Sequence, residues 1–192
     1  MQRKNSNTMT LVMTGLMTAL TLVATMFFKI PVGAGYIHLG DGVIILSAMM
    51  LPLGYACFAG AVGGALADII GGFAAWAPWT FFIKLTVVLV LHAFFAIIMK
   101  RRGLQGESDA GSEGAGRRGS VSLLEIVGYA SAAVITCTAY YFAEVALYGN
   151  WVVPVAGIPF NALQLGVGAL IACIVYAAAR RTSLRSKFFY LR

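Results

Sequence analysis

Five ionisable side chains stand inside long apolar stretches of this 192-residue chain. An ionisable group surrounded by hydrocarbon is costly, so each one calls for a partner or a function. Carboxylates, an ammonium group and an imidazole can hold a polar ligand, move a proton or form an ion pair between helices. The five residues are Asp41, Asp68, Lys84, His92 and Glu144.

Amides and aromatic rings are predicted at a similar depth. Asn161 and Gln164 are three positions apart and share one helix face, just after Pro159 in a first helical turn. Trp and Tyr can stack on a flat ring, while Glu, Asn and Gln recognise the nitrogens and hydroxyls of a heterocycle. The pattern predicts a cavity for a neutral or weakly charged ring compound, with the candidate binding residues Tyr36, His38, Asp41, Trp76, Trp79, Lys84, Tyr140, Glu144, Asn161 and Gln164.

Some of these polar and aromatic residues also have purely structural interpretations. Asp68 and Lys84 can form a buried ion pair that holds two helices together, and His92 can be a satisfied core histidine. Aromatic residues near a membrane boundary, such as Tyr148 and Trp151, are typical of an interfacial belt that needs no ligand.

The surrounding composition is that of a membrane protein. Hydrophobic residues make up 60% of the chain and charged residues 11%, and the mean hydropathy is +0.85. A bilayer core needs roughly 20 apolar residues per helix. We therefore predict a single all-α membrane domain with six transmembrane helices, at about 9–28, 41–53 (short), 55–72, 77–99, 122–147 and 155–179.

The distribution of basic residues predicts the orientation of the bundle. Although the net charge is +7, the basic residues cluster before the first helix, between the fourth and fifth helices, and after the last. With six spans these segments share one face, which the positive-inside rule makes cytoplasmic. Both termini are then cytoplasmic, and the polar residues other than His92 lie in the outer half. This distribution favours membrane topology over nucleic-acid binding.

Two connections stand out by composition. Residues 103–120 are Gly/Ser-rich and charged, which predicts a flexible cytoplasmic linker. Residues 29–40 are Gly-rich, carry Tyr36 and His38 and lie on the outer side; they form either a lid over the site or a slack connector.

Small residues recur at four-residue spacing in two helices, a pattern that lets helix backbones approach closely in lipid. In the third helix, Gly60 and Gly64 indicate packing within the bundle. In the first helix, Gly15 and Ala19 serve either the bundle or contact with another subunit.

The sequence does not indicate an enzyme. No Ser/His pair, metal-ligand cluster or paired Asp signature appears at a common depth, and no nucleotide-binding loop is present. Cys57, Cys137 and Cys173 fall in apolar runs without paired spacing, so they are predicted to be buried thiols. We expect no metal and no cofactor on this chain. An autonomous proton-coupled secondary transporter of a small heterocycle is the alternative, but the inner half lacks a polar path for it.

Several stretches resemble the S components, the substrate-binding membrane subunits, of energy-coupling factor (ECF) vitamin transporters. They are YIHLGDGVIILSAMMLPLGYACFAGAVGGALADIIGGFAAWAPWTFFIK at 36–84, YFAE at 141–144 and PFNALQ at 159–164. The resemblance covers nearly the whole chain and extends to the subgroup associated with hydroxymethylpyrimidine, pyridoxine and riboflavin.

This resemblance implies a six-helix bundle that serves an ATP-driven ABC importer in a prokaryotic plasma membrane. The S component captures a small ring vitamin from outside with high affinity, with pyridoxine or hydroxymethylpyrimidine favoured here. It docks on a transmembrane coupling subunit carried by two cytoplasmic ATPases, which use the ATP. The family's docking surface includes small residues of the first helix. This chain has Gly15 and Ala19 there, in a Gly-xxx-Ala rather than Ala-xxx-Ala pattern, and its linker at 103–120 departs from the compact family pattern.

Overall fold

The computed structural model describes residues 2–32, 35–108 and 123–180, and in this part the chain is a helical bundle with one small β-hairpin. A short 3₁₀ turn, Val153–Gly157, precedes the last helix. The helices are α1 (Gln2–Phe27), α2 (Gly40–Met50), α3 (Leu53–Ile70), α4 (Ala77–Ser108), α5 (Leu123–Tyr148) and α6 (Ile158–Arg180).

The bounds agree with the prediction to within a few residues, except at two helix ends. Helix α1 begins at Gln2 rather than at 9. Helix α4 continues to Ser108, past the predicted end at 99 and into the segment predicted to be a linker. The rest of that segment, 109–120, lies outside the described residues.

Among the described helices, five are long and apolar enough to cross a membrane, and α2 is not. Its 11 residues span about 17 Å, against a hydrocarbon core of about 30 Å. Nine of those 11 residues are buried, because α1, α3, α4 and α6 all pack against it. Of the six predicted spans, five are therefore helices of membrane-crossing length, and the sixth, α2, is a short helix in the centre of the bundle.

The other helices surround α2 in a simple order. Helix α1 packs on α3, α3 on α4, α4 on α5 and α5 on α6, and α2 contacts both α6 and α1. The centre is filled by Ile44 and Ile45 of α2 together with Val87, Val88 and Leu91 of α4. Large apolar side chains also cover the outside of the bundle, as expected of helices that face lipid.

Helix α3 packs closely on α4 through its glycines, as predicted. A methyl group on Gly60 would lie 2.9 Å from Val88, and one on Gly64 would lie 3.1 Å from Thr80. The helices therefore approach closely at the level where Thr80 and Lys84 emerge from α4.

The small residues of α1 face the other way. A methyl group on Gly15 would meet no atom within 4 Å, and Ala19 is exposed on the same side. This face of α1 takes no part in the packing of the bundle, so of the two interpretations the one within the bundle is wrong.

Helices α2 and α6 touch through their backbones at a pair of glycines. A methyl group on Gly168 would lie 2.8 Å from the backbone nitrogen of Gly42 and 3.2 Å from Cβ of Asp41. The two helices can approach this closely only because neither residue has a side chain.

We expect Gly168→Ala to destabilise the protein by about 1–3 kcal/mol, because the added methyl group forces α2 and α6 apart. Thermal unfolding in detergent measures the effect. The matched control is Gly166→Ala on the same helix, where the methyl group meets nothing within 4 Å and the better helix former is neutral or slightly stabilising. Equal melting temperatures of the two variants would contradict the close contact.

The segment predicted to be a Gly-rich loop contains a β-hairpin. Strand β1 (Lys29–Val32) pairs antiparallel with β2 (Gly35–His38), with Lys29 opposite His38 and Val32 opposite Gly35. An isolated two-stranded hairpin is marginal in water, so contacts with the helices must stabilise it. The Leu39 N–H donates to the Phe28 carbonyl at 3.3 Å and joins the two ends of the hairpin.

Candidate functional site

A cavity of about 200 Å³ lies at one end of the bundle, where α1, α3 and α5 end and α2, α4 and α6 begin. The basic residues Lys100 and Arg101 lie towards the opposite end of α4. The cavity is lined by Thr25, Ile37, His38, Ile44, Gly64, Asp68, Phe73, Trp76, Thr80, Lys84, Tyr140, Glu144, Tyr148, Val153, Ala156, Gly157, Phe160, Asn161 and Gln164.

A buried polar network joins three helices at this cavity. The Lys84 ammonium group donates to Oδ1 of Asp41 at 2.6 Å, and the Gln164 amide nitrogen donates to Oδ2 of the same carboxylate at 2.7 Å. All three residues are buried. Because both oxygens of the carboxylate accept charge-assisted or polar hydrogen bonds, its burial in the bundle is compensated.

The hairpin is connected to this network through its second strand. The backbone N–H of His38 donates to the Gln164 side-chain oxygen at 2.9 Å, and the Gly40 N–H donates to Nδ1 of His38 at 3.1 Å. On the first strand, opposite His38, the Lys29 ammonium group lies 5.3 Å from the centre of the Phe73 ring. The hairpin therefore forms part of the cavity wall.

Because Nδ1 of His38 accepts a hydrogen bond, the proton of the neutral ring is on Nε2. Burial lowers the pKa of His38 from 6.5 to about 4, with the neighbouring charge of Asp41 raising it and that of Lys84 lowering it. The imidazole is thus neutral at pH 7 and gains a charge only as the pH falls towards 4. It adds no positive charge to the cavity under physiological conditions.

Aromatic rings form one wall of the cavity. The centre of the Trp76 ring lies 6.4 Å from that of Tyr140 and 5.8 Å from that of Tyr148, and the second pair has an edge-to-face arrangement. Tyr140 is fixed further by a hydrogen bond between its hydroxyl and that of Thr80 at 3.2 Å and by the Lys84 ammonium group 5.2 Å from its ring centre. Rings held in this way offer preorganised surfaces for stacking.

Glu144 lies against the start of α6. A Cβ added to Gly157 would lie 3.2 Å and 3.3 Å from the two carboxylate oxygens of Glu144, so the carboxylate lies where a side chain at position 157 would be. Gly157 directly precedes α6, and the positive end of a helix dipole favours a carboxylate there. Asn161 lies in the first turns of the same helix and also faces the cavity.

The formal charges of the lining side chains are more negative than positive. Asp68 and Glu144 contribute carboxylates, while the positive charge of Lys84 is paired with Asp41. Such a site favours a neutral or cationic ligand over an anionic one, because a desolvated anion would be repelled by the two carboxylates.

Most of the residues predicted from the sequence meet in this cavity. Seven of the ten line it, and Tyr36 has a side chain outside the described part of the structure. The seven are His38, Trp76, Lys84, Tyr140, Glu144, Asn161 and Gln164.

The structure places the two remaining residues, Trp79 and Asp41, differently from the expectation. Trp79 is 39% exposed on the outside of α4 rather than in the cavity lining. Asp41 lies behind the wall, where it contacts Lys84 and Gln164. Lys84 is therefore paired with Asp41, not with Asp68, which itself lines the cavity.

Tyr148, which sequence reasoning assigned to an interfacial belt, also reaches the cavity, whereas Trp151 is 63% exposed. Sequence reasoning missed several lining residues altogether. Thr80 stands four positions before Lys84, and this spacing could have revealed that both share one helix face. Phe73 lies in a connection, where no such periodic signal exists. The other missed lining residues with larger side chains are Thr25, Ile37, Ile44, Val153 and Phe160.

Within the described residues, no group of three or more His, Cys, Asp or Glu side chains is arranged to hold a metal ion. The three cysteines are free thiols, half-buried rather than fully buried as expected. Cys137 donates to the Ile158 carbonyl at 3.5 Å, and Cys173 lies 3.8 Å from the Tyr129 hydroxyl.

A bundle of membrane-crossing helices with a polar, aromatic-walled cavity at one end is the architecture of a membrane protein that binds a small molecule. The family model of the ECF-type riboflavin transporter S component matches residues 5–181, nearly the entire chain. The chain belongs to this family.

Membership of the family has direct consequences. The chain is a multi-pass membrane protein, and its family is a class of transporter subunits rather than of enzymes. S components pair with a transmembrane T unit and ATPases and bind a small vitamin.

A second similarity is shorter. Over 74 residues the chain is 42% identical to an uncharacterized protein in the gap 3′ region of Pyrococcus woesei, which covers 38% of this chain and 49% of that protein. The matched part thus spans about half the length of this relative.

Proposed function

We propose that this chain captures a small ring vitamin in the cavity and delivers it to the coupling module of an ECF importer. The observation that carries the proposal is the combination of Trp76, Tyr140 and Tyr148 rings with hydrogen-bonding side chains around one cavity, in a chain of the S-component family. Family membership favours this function over an autonomous proton-coupled transporter.

Riboflavin is the first candidate ligand because the matching family is that of riboflavin transporter S components. Its ring system is flat and uncharged, and it offers carbonyl oxygens and ring nitrogens to amide and ammonium donors. Pyridoxine and hydroxymethylpyrimidine, which the resemblance in the sequence favours, are smaller uncharged rings that suit the same kinds of contact.

The orientation that we propose has the cavity on the outer side of a prokaryotic plasma membrane and both termini in the cytoplasm. Lys100 and Arg101 lie towards the end of α4 remote from the cavity, and basic residues mark the cytoplasmic face. A vitamin would then enter directly from outside.

The proposed partners are a transmembrane coupling subunit and two cytoplasmic ATPases, which hydrolyse the ATP. The exposed face of α1 around Gly15 and Ala19 is the docking surface that we propose for the coupling subunit. A flat face of small residues allows another helix to approach closely in lipid.

The decisive experiment is to purify the chain in detergent, identify co-purified small molecules by mass spectrometry, and titrate riboflavin, pyridoxine and hydroxymethylpyrimidine. Tryptophan fluorescence reports binding because Trp76 lines the cavity. We expect saturable binding of at least one of the three at one molecule per chain. If none binds and no ring compound co-purifies, the proposal is wrong.

We expect Glu144→Ala and Asn161→Ala each to weaken binding of that vitamin by about tenfold or more, because each removes a hydrogen-bonding group from the cavity. Melting temperatures should stay close to that of the unmodified protein, since both side chains are only partly buried. The control is Ser131→Ala on α5, whose hydroxyl bonds only its own helix at Val127. Unchanged affinity in both cavity variants would remove them from the site.

A further inference from the structure

Asp41 has an unusual position relative to the cavity. It is 1% exposed and lies behind the lining, yet its two oxygens hold Lys84 and Gln164, which do line the cavity. The hydrogen bonds that connect Asp41 to the cavity therefore run through these two side chains.

The network permits only one orientation of the Gln164 amide. Its oxygen must face the His38 backbone N–H, which can only donate, and its nitrogen must face the Asp41 carboxylate, which can only accept. In a flipped amide the oxygen would face the Asp41 carboxylate, which is also an acceptor, and the nitrogen would face the His38 N–H, which is also a donor. The atoms that Gln164 presents to the cavity are thus determined by groups on α2 and on the hairpin.

Lys84 is held in a similar way. One of its three N–H donors is directed to Asp41, and its ammonium group also lies over the Tyr140 ring. The remaining donors have restricted positions, because a lysine anchored at its terminal nitrogen loses the freedom of its long side chain.

The close contact of α2 with α6 determines where the carboxylate lies. Gly42 and Gly168 bring the two backbones together directly beside Asp41. The short aspartate side chain suits this narrow space, and a longer acid would move its oxygens away from both partners.

We propose that Asp41 is a positioning residue for vitamin binding: its carboxylate orients Lys84 and Gln164 towards the ligand and, through Gln164, holds the hairpin at His38 against the cavity. The assignment rests on the proposed function, since it takes the cavity to be the vitamin site. The direct binding contact expected of Asp41 from the sequence is replaced by an indirect one.

The test uses Asp41→Glu, which keeps a negative charge beside Lys84 but moves the oxygens by one methylene. Asp41→Asn is less suitable, because it leaves a buried ammonium group without its counter-charge and can unfold the protein. If Asp41 only compensates the charge of Lys84, the Asp41→Glu variant should bind the vitamin as tightly as the unmodified chain. If Asp41 positions Lys84 and Gln164, the variant should bind it more weakly.

With riboflavin, pyridoxine or hydroxymethylpyrimidine as the probe, whichever binds the unmodified chain, we expect Asp41→Glu to weaken affinity by about 10- to 100-fold. The number of sites per folded chain should remain one, because a misplaced network lowers affinity without removing binding-competent molecules. Ser47→Ala is the matched control. It is buried on the same helix and bonds only the Val43 carbonyl, so it should bind with unchanged affinity. Unchanged affinity in Asp41→Glu overturns the inference while the proposed function stands.

A double-mutant cycle with Gln164→Ala provides a second test. If Asp41 acts through Gln164, the loss in the double variant is smaller than the product of the two single losses. Losses that simply multiply would show that Asp41 acts independently of Gln164 and would contradict the assignment.

A measurement without ligand separates this inference from the proposed function. Hydrogen exchange of the His38 amide should be faster in Asp41→Glu than in the unmodified chain and in Ser47→Ala, because Gln164 loses one of its two anchors. If no probe binds the unmodified chain, the proposed function fails, and the exchange rate decides on the positioning role. Equal exchange rates in all three proteins would overturn it.

Discussion

Gly15→Leu is expected to leave vitamin binding unchanged and to abolish uptake by the complete transporter. Gly15 lies on a face of α1 that contacts nothing in the bundle, and no atom lies within 4 Å of the position where its side chain would begin. A leucine is therefore accommodated without strain in the isolated chain, and the cavity is unaffected. In the assembled transporter the same side chain would prevent close approach of a partner helix.

Two measurements test this expectation. Uptake of labelled vitamin is measured in cells that express the whole transporter, and docking is measured by co-purification of the coupling subunit. Gly166→Leu is the matched control, since Gly166 lies on the exposed face of α6 and also meets no atom within 4 Å. We expect it to bind, dock and transport normally. Normal uptake by Gly15→Leu, or a block by Gly166→Leu instead, would show that the docking surface is not on this face of α1.

Lys84→Met is expected to destabilise the protein by about 3–5 kcal/mol, the cost of leaving a buried carboxylate without its counter-charge. The Nζ atom of Lys84 lies 2.6 Å from Oδ1 of Asp41, and both side chains are almost completely buried. Asp68 lies near the same ammonium group and adds a second negative charge. Methionine fills a similar volume, so the loss comes from charge rather than from packing.

The double variant Lys84→Met, Asp41→Asn identifies the cause. It removes both charges, and an asparagine oxygen can still accept from the Gln164 amide, so most of the lost stability should return. Thermal unfolding in detergent measures all three proteins under one condition. If the double variant is as unstable as Lys84→Met alone, the buried charge is not the reason for the loss.

Helix positions in this chain follow largely from the sequence. Each membrane span must satisfy its own backbone hydrogen bonds, so a sufficiently long apolar run is almost bound to be a helix. This reasoning is less informative where apolar character and length disagree. Helix α2 is apolar but has only 11 residues, and four neighbouring helices pack against it. The hairpin at Lys29–His38 was hidden by the Gly and Pro residues among its β-branched ones.

The candidate site was predictable in kind and depth but less so in its contacts. Polar residues such as Glu144, Asn161 and Gln164 are conspicuous in apolar helices, since burying them without a purpose is costly. Trp79 and Tyr148 were assigned to the wrong sides, cavity and belt respectively. Helices α4 and α5, which contain these residues, carry apolar residues on all faces, so periodicity does not indicate which face is inside the bundle.

Composition and the depth of polar residues were thus sufficient to predict a membrane bundle with a polar and aromatic cavity at one end, because the bilayer limits what a span may contain. The pairing of charges was decided only by the tertiary structure. Lys84 binds Asp41 rather than Asp68 in a bundle where α2 packs directly on α6 at Gly42 and Gly168. Contacts between helices in hydrocarbon depend on local shape, and the shape of a helix surface becomes informative only when its partner is known.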